Sequence, residues 1–407
     1  MPKRHLSKAG VTTVLEDLDA LMGVNDIDAL LVVGNVFEVP DIYWLTGFRS
    51  PDTIAYFHSK DDKPVGIAAF NTIKRIKKQS FLKRTYDLSE LYLRFRKAGK
   101  RAANHPNVVY GTILQEHFTG KTLGVPNHLP ARILVAIQNL GYTVKVVPDL
   151  LKDARATKSK AEIKTIKKAG DATISAIEQI AEMIKKSKVG PKKQLLLKGN
   201  PLTVQDIKLA LEHFLLDRGA ESAEDAIAAV GKKGFDWHYL GAPKDVLKAG
   251  VPIILDVFPR LKQERYVADV TRTVVKGQPH KVVRSMFEAV IAASDAVVDA
   301  LTDDAPIDEV NMACYQTLKS HGFDSTRLNP EAVDGMTHGL GHGIGLEVHE
   351  NPSFYDRERG FVAGHVVAIE PGVYLKAHGG VRLENDYAVT TRKPKRLTIG
   401  LDDIMYL

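Results

Sequence analysis

Cysteine is almost missing from this chain of 407 residues: Cys314 stands alone. A single thiol excludes an intrachain disulfide framework and fits a reducing compartment. Long apolar runs are missing as well. No stretch approaches the roughly 20 residues needed to cross a bilayer, and the basic opening at residues 1–8 leads into residues 10–17 without a secretory apolar core. A cytoplasmic protein without membrane association is therefore expected. Zinc-finger spacing, a phosphate loop with its lysine and a strand–GxGxxG–helix order are also absent, which removes the common nucleotide-binding fingerprints.

The formal net charge of +7 invites a nucleic-acid reading. The basic residues cluster at 73–102 and 152–198, as in Lys74-Arg75-Ile76-Lys77-Lys78 and Lys185-Lys186-Ser187-Lys188. They alternate with acidic and apolar positions at helical spacing, so they read as solvated helix faces, and no nucleic-acid partner is expected. An apolar content of 44% and a charged content of 26% describe an ordinary globular chain. Its length calls for two or three cores.

Residues 1–155 read as a small α/β domain. A helix near 12–22 precedes strand candidates at 27–33, 53–57, 65–70, 121–125 and 142–147, with helical crossovers between them. Past a boundary near 150–160 comes a charged amphipathic helix over 161–186, whose stripe is Ile163, Ile166, Ile174, Ile177 and Ile184. An internal repeat then organises residues 156–407. Helix 161–186, a second helix opened by Thr203 and Asp206, and a hairpin at 252–275 form one unit; helix 281–301, a helix opened after Pro306 and a hairpin at 366–390 form the next.

Each hairpin holds two acids: Asp256 and Asp269 in the first, Glu370 and Glu384 in the second. An acid within an apolar strand is costly unless paired. Turn-capping aspartates are the simpler reading for the first hairpin, but the second pair weakens it. If the two hairpins face each other, four carboxylates meet, and His342 joins them from the segment between. Two divalent cations would neutralise four carboxylates, and hard oxygen ligands with one imidazole suit such ions. Thr271 and Arg272 are placed to orient the carboxylates, and Gly379-Gly380 is expected to make the turn between the glutamates. His342 lies in Thr337-His338-Gly339-Leu340-Gly341-His342-Gly343-Ile344-Gly345-Leu346-Glu347-Val348-His349-Glu350, whose glycine density suits backbone packed close to a site. His238, in Phe235-Asp236-Trp237-His238-Tyr239, is either a packed or surface histidine or an active-site donor.

Together these residues resemble the creatinase/methionine aminopeptidase-like metallopeptidases of the pita-bread fold, and the whole-chain layout is most similar to the Xaa-Pro branch, prolidase and aminopeptidase P. The resemblance implies an α+β catalytic domain with an internal pseudo-twofold repeat, preceded by a creatinase-like α/β domain to which Asp41-Ile42-Tyr43-Trp44-Leu45-Thr46-Gly47-Phe48 is similar. It implies that Asp256 chelates one metal, that Asp269 and Glu384 bridge two, and that His342 and Glu370 bind the other. His238, His349, His338 and Arg382 match active-site positions. Manganese is the first ion implied, with cobalt, iron or zinc as alternatives, and a homodimer is implied as well.

Two departures stand out. Val257-Phe258 follows Asp256 where Asp-x-Gly is usual, with two extra residues before Asp269, and Asn385 stands where an aspartate is often found. The expected reaction is hydrolysis of an Xaa-Pro bond in a dipeptide or at the N-terminus of a peptide. Glu370 acts on the attacking water, His238 or His349 on the oxyanion, and His338 and Arg382 on the pocket. Another metal-dependent hydrolase or a lyase acting on a small non-peptide substrate is the alternative, and a non-catalytic binding module is a further one. A methionine aminopeptidase would not require the long N-terminal domain.

Overall fold

The structure, a computed structural model, describes residues 12–401 and 403–407; the basic opening at residues 1–8 lies outside them. It contains two compact units, Met1–Ala154 and Arg155–Leu407. No described helix is long and apolar enough to cross a membrane.

The first unit is built on the strand Ala29–Gly34, apolar along almost its whole length. Its side chains alternate between two cores: Leu30 and Val32 join Leu18, Ile42 and Ile73, whereas Leu31 and Val33 join Phe57, Leu91 and Ile113. A strand buried on both faces reads as a continuous apolar run. Six strands form the sheet, in the order Arg84–Asp87, Val65–Ala68, Ile54–Ser59, Ala29–Gly34, Thr122–Val125 and Thr143–Val146. Arg84–Asp87 carries no apolar pattern and escaped the sequence reading; it is held by parallel pairing with Val65–Ala68. The segment around Trp44 is a short helix, Pro40–Thr46, ended by Gly47 at φ 62°.

The second unit opens with helix Lys160–Lys186, started by a reciprocal Ser159–Glu162 capping box. Its buried stripe includes Ile166, Ile174, Ile177, Ile180 and Ile184, while Ile163 is only half-buried. Thr203 and Asp206 form a second capping box at the start of Val204–Asp217. Strands Ile227–Val230, Ile253–Val257 and Val270–Val275 follow as an antiparallel ladder. The pattern then recurs: helices Lys281–Ala300 and Ile307–Ser320 precede the antiparallel strands Gly341–Gly343, Val366–Ile369 and Asn385–Ala388. Each half has its own core.

One loop expectation is revised. Gly379-Gly380 does not make the turn, which falls at residues 376–378; both glycines lie within the strand Gly379–Arg382. A Cβ on Gly379 would come within 2.1 Å of the Gly231 carbonyl oxygen, so the glycine is needed for close approach to the Gly231–Phe235 turn that precedes His238. The lengthened tip between Asp256 and Asp269 is tied down on both sides. Pro259–Leu261 pairs with Ala220–Ser222, and Glu221 holds Lys262 and Arg265 at 3.2 and 3.0 Å.

Candidate metal centre

Repeat symmetry sets where the acids fall. Asp256 sits near the end of strand 253–257 and Asp269 immediately before strand 270–275. Glu370 follows strand 366–369 and Glu384 precedes strand 385–388, and these strands pair Ile369 with Asn385. His342 lies on strand 341–343, opposite Ala368. That strand can approach only because residue 341 is glycine; a Cβ there would lie 2.1 Å from the Ala368 carbonyl oxygen. The two ladders are joined at Thr271, whose carbonyl accepts the Glu384 amide at 3.1 Å and whose hydroxyl donates to the Glu384 carboxylate at 2.8 Å.

Asp269, His342 and Glu384 offer ligand atoms within 4.8 Å of one another. His342 Nε2 lies 3.7 Å from Asp269 and 3.8 Å from Glu384. Asp256 and Glu370 stand outside this tight group but close enough for their charges to act on it. Asp256 Oδ1 and Asp269 Oδ1 are buried with no hydrogen-bond partner among the described residues. Buried carboxylate oxygens left without donors are expensive. Convergent acids, one imidazole and orphaned oxygens fit divalent cations.

The electrostatics agree. Burial first, then the charges of Glu384 and Asp256, pushes Asp269 well above the ordinary carboxylate range. Burial, then Glu370 and Asp256, does the same to Glu384. Glu370 is pushed up to about 7 by burial, with Arg382 opposing and Asp256 reinforcing. Burial and His349 bring His342 down to about 4, so it is a neutral imidazole ready to ligate.

Arg382 is more enclosed than a pocket-lining residue need be. Its guanidinium donates to Asp256 Oδ2 at 2.5 Å, to Thr271 Oγ1 at 3.1 Å and to the Tyr374 hydroxyl at 2.8 Å. Burial disfavours its charge, but Tyr374 and the surrounding acids outweigh that and hold its pKa above normal. Arg272, expected to orient carboxylates, instead donates to the Glu384 carbonyl and the Asn385 side chain, both at 2.8 Å. Thr271 does orient one.

Among the four histidines, His338 is buried with both ring nitrogens engaged, by the Gly339 carbonyl at 2.7 Å and the Tyr374 hydroxyl at 2.9 Å. Burial and then Arg382 lower it to about 3. It lines a cavity of about 270 Å³ with Tyr315, Arg327, Phe354, Tyr355 and Arg357. His238 and His349 are exposed; His349 packs at a tilt against His342 with ring centroids 4.3 Å apart, and His238 lies against Trp237. Burial and then Arg382 lower the His238 pKa.

Sequence reasoning missed two residues. Tyr374 is fully buried between Arg382 and His338. Asp386 is fully buried too, and its carboxylate accepts the Asp269 amide at 3.0 Å. Asp386 could have been suspected, because an acid two residues past Glu384 directly precedes the run Tyr387-Ala388-Val389.

Paired ladders converging on such a centre are the pita-bread arrangement, and a site of this make-up belongs to a metal-dependent hydrolase. The chain belongs to Metallopeptidase family M24, which it matches over residues 164–391. It is 33% identical to an Xaa-Pro dipeptidase of Pyrococcus furiosus over 261 residues, 62% of this chain and 66% of that protein. It is 31% identical to an Xaa-Pro dipeptidase of Pyrococcus horikoshii over 287 residues, 68% of this chain and 73% of that protein. Among solved structures, the prolidase from Pyrococcus horikoshii OT3 matches with a TM-score of 0.73 at 24% identity, covering 96% of this chain and 99% of that one. The X-Pro aminopeptidase from Thermotoga maritima MSB8 matches at 0.75 and 22%, covering 95% and 100%.

Proposed function

We propose that this protein hydrolyses Xaa-Pro bonds at a centre of two divalent ions held by Asp256, Asp269, His342, Glu370 and Glu384. The observation that carries the reading is the convergence of Asp269, His342 and Glu384 within 4.8 Å, beside the orphaned oxygens of Asp256 and Asp269. The M24 membership and the Xaa-Pro dipeptidase relatives support the substrate class. Divalent cations held there supply an activated water at neutral pH and polarise the scissile carbonyl. Manganese is the first ion to test, then cobalt, iron and zinc.

The chain's own groups divide the remaining work. Glu370 takes a proton from the attacking water and passes it to the leaving prolyl nitrogen. Its side chain is 22% exposed, against 12% for His342 and less for Asp256, Asp269 and Glu384, so it is the ligand most open to exchange protons. His349 and His238, exposed at the rim, donate to the carbonyl oxygen as charge builds on it. Arg382 holds Asp256, and Tyr374 and His338 brace Arg382 and wall the pocket.

Arg357 favours dipeptides. It is exposed at the cavity lined by His338, with no carboxylate partner among the described residues, whereas neighbouring Arg327 is already paired with Asp308. A free guanidinium there suits the terminal carboxylate of a dipeptide. The same reading extends to a homodimer, on the family likeness, and the lone buried Cys314 fits a reducing cytoplasm.

The test is release of proline from Ala-Pro by the manganese-loaded protein, alongside Ala-Ala and a longer Xaa-Pro peptide. Cleavage of Ala-Pro and not Ala-Ala is the expected result; no cleavage of any Xaa-Pro substrate by metal-loaded protein would turn the reading toward a non-peptide substrate on the same centre.

A further inference from the structure

Between strand 341–343 and strand Glu350–Ser353 the chain bends through residues 345–349 without joining a ladder. His349 lies in this bend, and its side chain is exposed, with no hydrogen bond among the described residues. Its ring lies against that of His342, with centroids 4.3 Å apart. One buried carboxylate meets this bend. Glu350 Oε1 accepts the Leu346 amide at 2.8 Å and the Glu347 amide at 3.1 Å. Its other oxygen lies 3.2 Å from Lys158 Nζ, and Arg155 Nη2 lies 3.4 Å from Oε1 while also bonding Glu347. The Arg155, Lys158 and Glu350 side chains are all but sealed from water. The bend wraps them closely: a Cβ on Gly345 would meet Glu350 Oε2 at 2.5 Å and Lys158 Cε at 3.0 Å.

Buried ion clusters are poor sources of stability, since apolar replacements often serve as well, but they can specify one geometry. We propose that Glu350, oriented by Lys158 and Arg155, is a positioning residue that holds the 345–349 bend so that His349 faces the reacting centre. The inference rests on the reading of His349 as a group acting on the substrate. The acceptor oxygen is the working part; the two cations keep it turned toward the amides.

Removing Glu350 alone would strand buried Lys158, so the variants remove both charges and leave the Arg155–Glu347 pair intact. Lys158→Met/Glu350→Ala abolishes the acceptor, whereas Lys158→Met/Glu350→Gln restores it without charge. Ala-Pro hydrolysis is measured on manganese-loaded proteins, with metal content and thermal midpoint recorded. The alanine form is expected to lose roughly 10–100-fold in kcat, the usual range for outer-shell partners, with KM within about twofold. The glutamine form is expected to recover to within about threefold of the parent. Adding His349→Ala to the alanine form should cost little more, because two groups acting through one interaction are not additive. Equal losses in the two forms, no loss in either, or a triple variant falling by the product of the separate effects would overturn the inference and leave the Xaa-Pro reading standing. A His349→Ala protein with parental turnover would overturn it together with the role given to His349.

Discussion

Thr271 and Glu384 are bonded twice, once through the backbone and once through the side chains, and this double link joins the two halves of the second unit at a proposed metal ligand. The Thr271 hydroxyl also accepts Arg382 Nε at 3.1 Å, so one oxygen relays Arg382 to Glu384.

Thr271→Val keeps the shape and deletes that relay, leaving two buried charged groups each one partner short. A loss of about 1–3 kcal/mol is expected, with Thr271→Ser losing much less. Chemical denaturation of both variants checks it; equal stability of the valine and parent proteins would show that the hydroxyl contributes nothing.

Arg382→Lys retains a positive charge but cannot bond Asp256, Thr271 and Tyr374 at once. Asp256 should lose its fixed orientation and metal affinity should fall roughly 10–100-fold. Titration of chelator-treated protein with manganese reads this directly. Tyr374→Phe should show a smaller change in the same direction.

Glu370 gives a pH signature. Its folded value of about 7 exceeds the unfolded 4.5, so the folded chain binds the proton more tightly. Its contribution to stability is complete below pH 4.5 and is lost as pH rises through 7. His338 and His342, brought down to about 3 and 4, work the opposite way, contributing above 6.5 and losing that contribution as pH falls. Comparing chelated parent protein with Glu370→Gln cancels the histidines. The parent should lose stability relative to the variant as pH rises from 5 to 8, measured by urea unfolding; parallel profiles would contradict the raised Glu370 pKa.

Arg357→Gln tests the dipeptide preference. KM for Ala-Pro should rise about tenfold as one charge-assisted contact is lost, while KM for the amidated dipeptide should stay put. Equal changes for both substrates would remove Arg357 from carboxylate recognition.

The acids were legible in the sequence because a carboxylate in an apolar strand advertises a partner, and their twofold recurrence suggested convergence. The helix start at Thr203 was readable from local capping chemistry, which depends on residues only three apart. Long-range partners were not readable. Tyr374 sits in Gly372–Leu375 like any strand aromatic, and only the fold brings its hydroxyl to Arg382. The Gly379-Gly380 pair has the composition of a turn, yet what demands glycine there is the backbone of residues 231–235, far away in sequence. Strand Arg84–Asp87 carries no periodic signal because its neighbour, not its own side chains, holds it in place.

The most direct test of the two-ion centre is metal content by mass spectrometry after manganese reconstitution, for the parent and for Asp269→Ala. About two ions per parent chain are expected, with most of that binding lost when Asp269 is removed. A parent chain that cleaves Ala-Pro at full rate with no bound metal, or an Asp269→Ala chain that still holds both ions, would contradict the account.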